Sequence, residues 1–262
     1  MSEGERRQSL PKIHLMTLLG IDIGGTGIKG APVNVKTGKL TADRIRIPTP
    51  NPARPQAVAA ALKEIAGHFS HSGPVGVTFP GIVKQGVIFS AANVDSSWLQ
   101  LDAAKLFSKH LARPVTMVND ADAAGVAEMR FGAGRGRQGT VIMLTFGTGI
   151  GTAIFLNGVL LPNAEFGHLK IRGKEAEHRA SERVREEKGL SFKKWSKLVS
   201  EYLAELERFF SPELFIIGGG ISRKAEKFLP YLTAKTQVPI EAAILQNNAG
   251  IIGAACLAKN PS

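Results

Sequence analysis

The 262-residue chain has a single cysteine, Cys256. One thiol excludes a disulfide framework or a cysteine-built zinc site within the chain, and it fits a reducing, cytoplasmic setting. No apolar run reaches the roughly 18 residues that a membrane span needs, so no membrane partner is expected. Residues 1–17 mix charged and polar side chains without the apolar stretch of a secretory leader, and they read as a flexible N-terminal tail. Acidic charge is also scarce. Against 33 Lys and Arg stand 22 Asp and Glu, which leaves a net charge of +11 and a pI of about 9.9. That excess is unusual for an enzyme acting on a small neutral molecule. It points to a polyanionic partner: nucleic acid, anionic lipid or a phosphate polymer.

Two glycine turns organise what is present. The apolar run Leu18–Ile23 carries one acidic residue, Asp22, and leads into Gly24-Gly25-Thr26-Gly27 before a second strand-like run to Val35. This reads as a β-hairpin with phosphate held at its tip. Glycines let backbone N–H groups approach phosphoryl oxygens and tolerate positive φ. Thr26 adds a hydroxyl donor, and Asp22 can hold a hydrated metal ion. Glycine turns are common, so the hairpin alone is equally an ordinary tight turn. A second copy, Met143–Ile154 with Gly147-Thr148-Gly149 at its tip, shifts the balance. Two such hairpins suggest two related halves closing on one phosphate-bearing ligand.

The remaining pattern alternates strands and helices. Three antiparallel strands are expected at 15–23, 28–35 and 39–47. Helical spacing follows over 54–69, then strands at 74–79, 87–89 and 115–118 with a helix over 101–111 between the last two. Helical spacing returns at 121–130, strands at 140–145 and 151–157, and a long charged helical region spans 175–210 with a break at Gly189. A strand at 214–217, a helix over 222–232 and a helix from Ala249 complete the chain. The pattern is α/β. Domains are expected at 18–119 and 120–248, with the terminal segment 249–262 packing back on the first.

Short polar residues collect where apolar stretches end: Asn93, Asn119, Asp120, Glu165 and His168. Such groups at strand ends suit a hydroxyl-rich ligand in a half-apolar cleft. Asp120 also fits as a plain cap of the helix that follows it. His168 fits a structural hydrogen bond as well as a ligand contact. The Glu165-x-x-His168 spacing would suit a metal pair on a helix, but Gly167 and Leu-Lys-Ile after it argue against a helix there.

Taken in order, Asp22-Ile-Gly-Gly-Thr26, Phe79-Pro-Gly81, Asn119-Asp120, Gly147-Thr-Gly-Ile-Gly151, Glu165-Phe-Gly-His168 and Gly218-Gly-Gly220 resemble the ROK family of sugar kinases and repressors. The resemblance runs from about Leu18 to Ala258. It implies a two-domain actin-like ATPase fold of the hexokinase, ribonuclease H-like type, with a cleft between the domains. One departure matters. ROK proteins usually carry a cysteine-rich zinc loop after Glu-x-Gly-His, and this chain has Gly173-Lys-Glu-Ala-Glu-His-Arg-Ala-Ser181 there instead. That replacement, with Gln246-Asn-Asn-Ala-Gly250, is similar to the polyphosphate-using glucokinases of the family, so no structural zinc is expected.

The resemblance assigns roles by position. Asp120 matches the general base for the sugar 6-hydroxyl, and Asn93, Asn119, Glu165, His168 and Glu177 match sugar contacts. Gly24, Gly25, Thr26, Gly147, Thr148 and Gly149 match phosphate contacts, Gly218, Gly219 and Gly220 the nucleotide-side turn, and Asp22 the carboxylate near Mg²⁺, reached through water. The implied activity is transfer from inorganic polyphosphate or ATP to glucose, and to mannose with it. Arg135 and Arg137, in a glycine-rich loop, are the candidate polyphosphate contacts. The cations between Lys170 and Arg185 alternate with glutamates and read equally as a solvated face. An ATP-only kinase for another hexose or N-acetylmannosamine is disfavoured by the missing cysteine loop. A sugar-responsive DNA-binding regulator is disfavoured because only about seventeen residues precede Leu18, too few for a helix-turn-helix, so no nucleic-acid partner is expected. A homodimer is possible within the family pattern.

Overall fold

The computed structural model describes residues 17–90, 94–232 and 237–258; Asn93 and nearly all of the N-terminal segment lie outside them. The first half opens with the antiparallel pair β1 (Thr17–Ile23) and β2 (Ile28–Asn34). The expected third strand over 39–47 is split. β3 (Lys39–Leu40) pairs with one end of β2 and β4 (Ile45–Ile47) with the other. The gap falls opposite Pro32, which has no N–H to offer a ladder. Helix α1 (Pro55–His68) buries Val58, Leu62 and Ile65 on one stripe and starts on a proline at its first turn, where no N–H is missed. Strand β5 (Val75–Phe79) is buried along its whole length. A small hairpin of β6 (Val83–Lys84) and β7 (Val87–Ile88) precedes α2 (Ala103–Leu111), which Asp102 caps through the Lys105 N–H. Strand β8 (Val115–Asn119) closes the sheet. Its order is β3-β2-β1-β5-β8, with β1, β5 and β8 parallel.

The second half repeats the plan. After α3 (Asp120–Phe131) come β9 (Thr140–Phe146), β10 (Ile150–Leu156) and β11 (Val159–Leu161), a small β12 (Lys170–Ile171) and β13 (Lys174–Glu175) hairpin, then α4 (Glu177–Ala180), α5 (Glu182–Glu187) and α6 (Phe192–Phe210). Strand β14 (Leu214–Gly218), α7 (Leu229–Leu232) and β15 (Ile240–Ala242) follow. The sheet order is β11-β10-β9-β14-β15, again an antiparallel hairpin flanked by parallel strands.

Two helical expectations need correction. The region 175–210 is three helices. It breaks at Ser181, whose hydroxyl caps α5 by accepting from the Val184 N–H, as well as near Gly189. The helix expected over 222–232 is a kinked run of 3₁₀ turns over 220–227 followed by short α7. Pro230 would collide with the carbonyl four residues back in a continuous α-helix.

Helix α8 (Ala249–Leu257) joins the halves. It is apolar all round and packs on β1, β5 and α3. Contact is backbone to backbone: a Cβ on Gly20 or Gly76 would overlap the carbonyl of Ile251 or Ala254, and one on Gly253 would overlap that of Ala123. Ile251, Ile252 and Ala255 thereby share a core with Ala124, Ala127, Met143 and Ile216, between the two sheets. No helix among the described residues is long and apolar enough to cross a membrane.

Candidate active site

Asp120 stands where β8 becomes α3. The residue that caps the helix is its neighbour. Asn119 Oδ1 accepts from the Asp122 N–H at 3.0 Å, and its Nδ2 donates to the Gly81 carbonyl at 3.1 Å. Asn119 is buried and spent on these bonds. Asp120 is left in the first turn, where its Oδ1 accepts from the Ala121 N–H at 2.8 Å. Its carboxyl is half-buried at the cleft, and burial is the main force pushing its pKa up, to about 7, with the charges of Asp22 and Glu165 adding to it.

Asp22 reaches the same place from the end of β1. Its Oδ1 accepts from Thr78 Oγ1 at 2.8 Å, and Thr78 in turn accepts from the Ile23 N–H at 3.1 Å. Lys29 Nζ lies 4.0 Å from Oδ2. The first turn of α8 backs the group: a Cβ on Gly250 would sit 3.0 Å from Asp22 Oδ1. Carboxylate oxygens from Asp22, with Asp120 nearby, are the hard ligands that Mg²⁺ accepts.

The two glycine turns face outward with little above them. In the first, Gly24 N–H donates to Gly27 O at 3.2 Å, and Gly25 and Thr26 are exposed. In the second, Gly147 N–H donates to Gly149 O at 3.1 Å, and Thr148 is exposed. None of these glycines has positive φ. The conformational argument therefore does not apply. The missing side chains leave open space at Gly25 and Gly147, whereas Arg46 and Glu177 occupy the positions a Cβ would take at Gly27 and Gly149. The Gly218–Gly220 turn abuts the second hairpin. Gly219, at φ 83°, lies so close to Phe146 that a Cβ would meet its backbone.

Glu165 and His168 flank a 3₁₀ turn over 166–168. His168 Nε2 lies 3.9 Å from Glu165 Oε2, while Nδ1 is 3.0 Å from Glu175 Oε2 and 4.0 Å from Glu177 Oε1. The Glu175 hydrogen bond is the first cause holding the His168 pKa above its ordinary value. Burial raises that of Glu165. Glu177 links the His168 cluster to the second glycine turn, because its Oε2 accepts from the Ile150 N–H at 3.4 Å, beside Gly149. Ligand atoms of His168, Glu175 and Glu177 all lie within 4.8 Å of one another.

Sequence reasoning missed three participants. Glu175 and His178, within 3.6 Å of each other, lie in a run of alternating charges that reads equally as a solvated face. Asp122 was unremarked, yet it is buried, and burial raises its pKa to about 7. Its Oδ2 accepts from the Asn163 N–H at 2.8 Å, and Oδ1 has no hydrogen-bond partner among the described residues. Asn163 bonds both backbone groups of Val83, so the loop before Glu165 is stitched across to β6. No spacing signal distinguishes Asp122 from a polar helix face. Arg135 and Arg137 lie before β9, at the end of that strand away from the Gly147 turn, and Arg137 is paired with Glu241. Of the cations between 170 and 185, Arg172 and Arg179 both pair with Glu201, and Arg185 pairs with Glu186.

A ROK family model matches residues 18–189, and the chain belongs to the ROK family. Its α/β architecture is the actin-like ATPase fold of ROK sugar kinases. The polyphosphate glucokinase of Mycobacterium tuberculosis is 52% identical over 237 residues, which covers 90% of this chain and 89% of that one. Among solved structures, the inorganic polyphosphate/ATP-glucomannokinase of Arthrobacter sp. strain KM superposes with a TM-score of 0.87 at 53% identity, over 91% of this chain and 96% of the other. A ROK glucokinase from Streptomyces griseus in complex with glucose and AMPPNP has a TM-score of 0.81 at 26% identity, over 92% and 99%.

Proposed function

We propose that this chain phosphorylates glucose, and mannose with it, at the 6-hydroxyl, taking the phosphoryl group from inorganic polyphosphate or ATP. Two relatives above half identity, a polyphosphate glucokinase and a polyphosphate/ATP-glucomannokinase, support the donor and the sugar. One observation carries the chemistry. Asn119 takes over the capping of α3, which leaves the adjacent Asp120 carboxyl free at the cleft beside Asp22 and Glu165.

Asp120 is the general base that accepts the sugar hydroxyl proton. Asn93, Asn119, Glu165, His168 and Glu177 form the hexose side. Asn119 contributes mainly by fixing Asp120, since its own polar atoms are already bonded. Bare backbone at Gly24–Thr26 and Gly147–Gly149, with the Gly218–Gly220 turn behind, cradles the donor phosphates. Mg²⁺, held by Asp22 through water, would neutralise charge on the transferring phosphoryl group. Such a transfer needs positioning and charge neutralisation more than covalent help. The domain limits 18–119 and 120–248, with 249–262 returning to the first, place the reaction between halves that α8 couples. The protein works in the cytoplasm, possible as a homodimer, without nucleic-acid or membrane partners.

The test is product formation followed by phosphorus NMR, with glucose, Mg²⁺ and either donor. A hexose 6-phosphate signal is expected from both donors. In Asp120→Asn, turnover should fall by roughly 10²–10⁴-fold while hexose still binds. Near-normal turnover in that variant would remove the role given to Asp120.

A further inference from the structure

A trough lined by the β3–β4 connection, Arg223 and residues 244–248 is left unused by the roles above. Its volume is about 1130 Å³. One wall is the β3–β4 connection with Lys39 and Arg44. The other carries Arg223 and the amides of Gln246, Asn247 and Asn248. Arg44 spans the gap, donating from Nη1 to Asn247 O and to Asn248 Oδ1, each at 3.1 Å. A guanidinium has five N–H donors, so most of its capacity remains.

The Arg223 side of the trough leads to the second glycine turn. Arg223 also borders a smaller recess of about 500 Å³ whose other lining includes Gly147 and Thr148. On the same wall, Asn248 is two residues from Gly250, the glycine packed on Asp22. Arg46, two residues beyond Arg44, donates to the Thr26 carbonyl. Arg223, shared by the two cavities, joins the recess at Thr148 to a trough that also carries Arg44 and Lys39. Only one acidic side chain, Asp43, lines the trough; the recess carries Glu182, which pairs with Lys224, and Glu186, which pairs with Arg185. Lys39, Arg44 and Arg223 are exposed, and none of them forms an ion pair among the described residues. Arg137, Arg172 and Arg179 differ, since Glu241 engages the first and Glu201 the other two, while Arg135 lies at the end of β9 away from the Gly147 turn.

We propose that this trough is the path of a long inorganic polyphosphate chain beyond the phosphates seated at the turns, with Arg44 and Arg223 as its principal contacts and Lys39 at its outer end. The inference rests on the donor reading above. Guanidinium groups on facing walls match successive phosphate units, and the intervening amides donate to phosphoryl oxygens. A donor ending after three phosphates would not reach the outer cations.

The experiment compares Arg44→Gln, Arg223→Gln and the double variant with wild type. KM is measured for tripolyphosphate and for a polymer of many tens of phosphates, across a range of salt. In the double variant, the ratio of long-chain to short-chain KM should rise about tenfold, and the slope of log KM against log salt for the polymer should flatten by about 0.7–0.9 per cation removed, by analogy with counterion release. Arg135→Gln and Arg137→Gln should match wild type. Arg223 forms no hydrogen bond or ion pair among the described residues, so in Arg223→Gln alone a folding defect at Arg44 would not hide the result. Equal KM changes for both chain lengths, an unchanged salt slope, or a loss carried by Arg135 and Arg137 would each overturn the path while leaving the donor reading intact. Wild-type enzyme that uses ATP but no polyphosphate would overturn the donor reading and the path together.

Discussion

Replacing Asp120 by Asn should make the unliganded protein more stable at alkaline pH while crippling it as a catalyst. The magnitude follows from its surroundings. Burial, then the charges of Asp22 and Glu165, raise the carboxyl pKa from 3.8 to about 7. At about 1.36 kcal/mol per tenfold shift in acidity, the upper bound on the cost of ionising it in place is about 4 kcal/mol. Cleft water reaches the half-buried group, so about half of that is expected to survive. The sign is fixed by proton counting. Between pH 3.8 and about 7 the folded wild type keeps a proton that the unfolded chain releases, so its stability falls as pH rises through that window and stays lowered above it. Asn cannot ionise, and its oxygen can still accept from the Ala121 N–H. Asp122, also raised to about 7, is present in both proteins and cancels. Urea unfolding with EDTA present, near pH 5 and near pH 8, should show the stability advantage of Asp120→Asn widening by about 1–2 kcal/mol at the higher pH. A difference that is independent of pH, or that narrows, would refute the environment assigned to this carboxyl.

Other expectations follow from neighbouring contacts. Asn119→Ala removes the α3 cap and the bond to Gly81, and should cost about 1–3 kcal/mol in chemical unfolding. Gly76→Ala drives a methyl into the Ala254 carbonyl and should cost about 3 kcal/mol or more by separating α8 from β5, whereas Gly67→Ala, with open space around it in α1, should stabilise by about 0.5–1 kcal/mol in the same assay. EDTA should abolish turnover with polyphosphate and with ATP, and Mg²⁺ should restore both; metal-independent transfer would remove Asp22 from the account.

What could be read in advance followed local chemistry. An apolar run, four small residues and a second apolar run specify a hairpin almost without help from the rest of the chain, and both glycine hairpins form. The break opposite Pro32 was also local, but the β propensity of 39–47 masked it. At Asn119-Asp120 the sequence offered two capping residues in a row, and only the helix start decides which one caps. Long-range partners were beyond reach. Glu241 meets Arg137 across 104 residues, and Asp122 meets the Asn163 N–H across 41. Glu175 and His178 lie in a run of alternating charges that looks solvated. They converge on His168 because β13 pairs back on β12 directly after it.

The most direct measurement is a crystal structure of the protein with glucose bound. The account predicts the sugar between the two halves, its 6-hydroxyl within about 3 Å of an Asp120 carboxylate oxygen and pointing toward the turns at Gly24–Thr26 and Gly147–Gly149. Glucose held elsewhere, or bound with that hydroxyl turned away from Asp120, would contradict it.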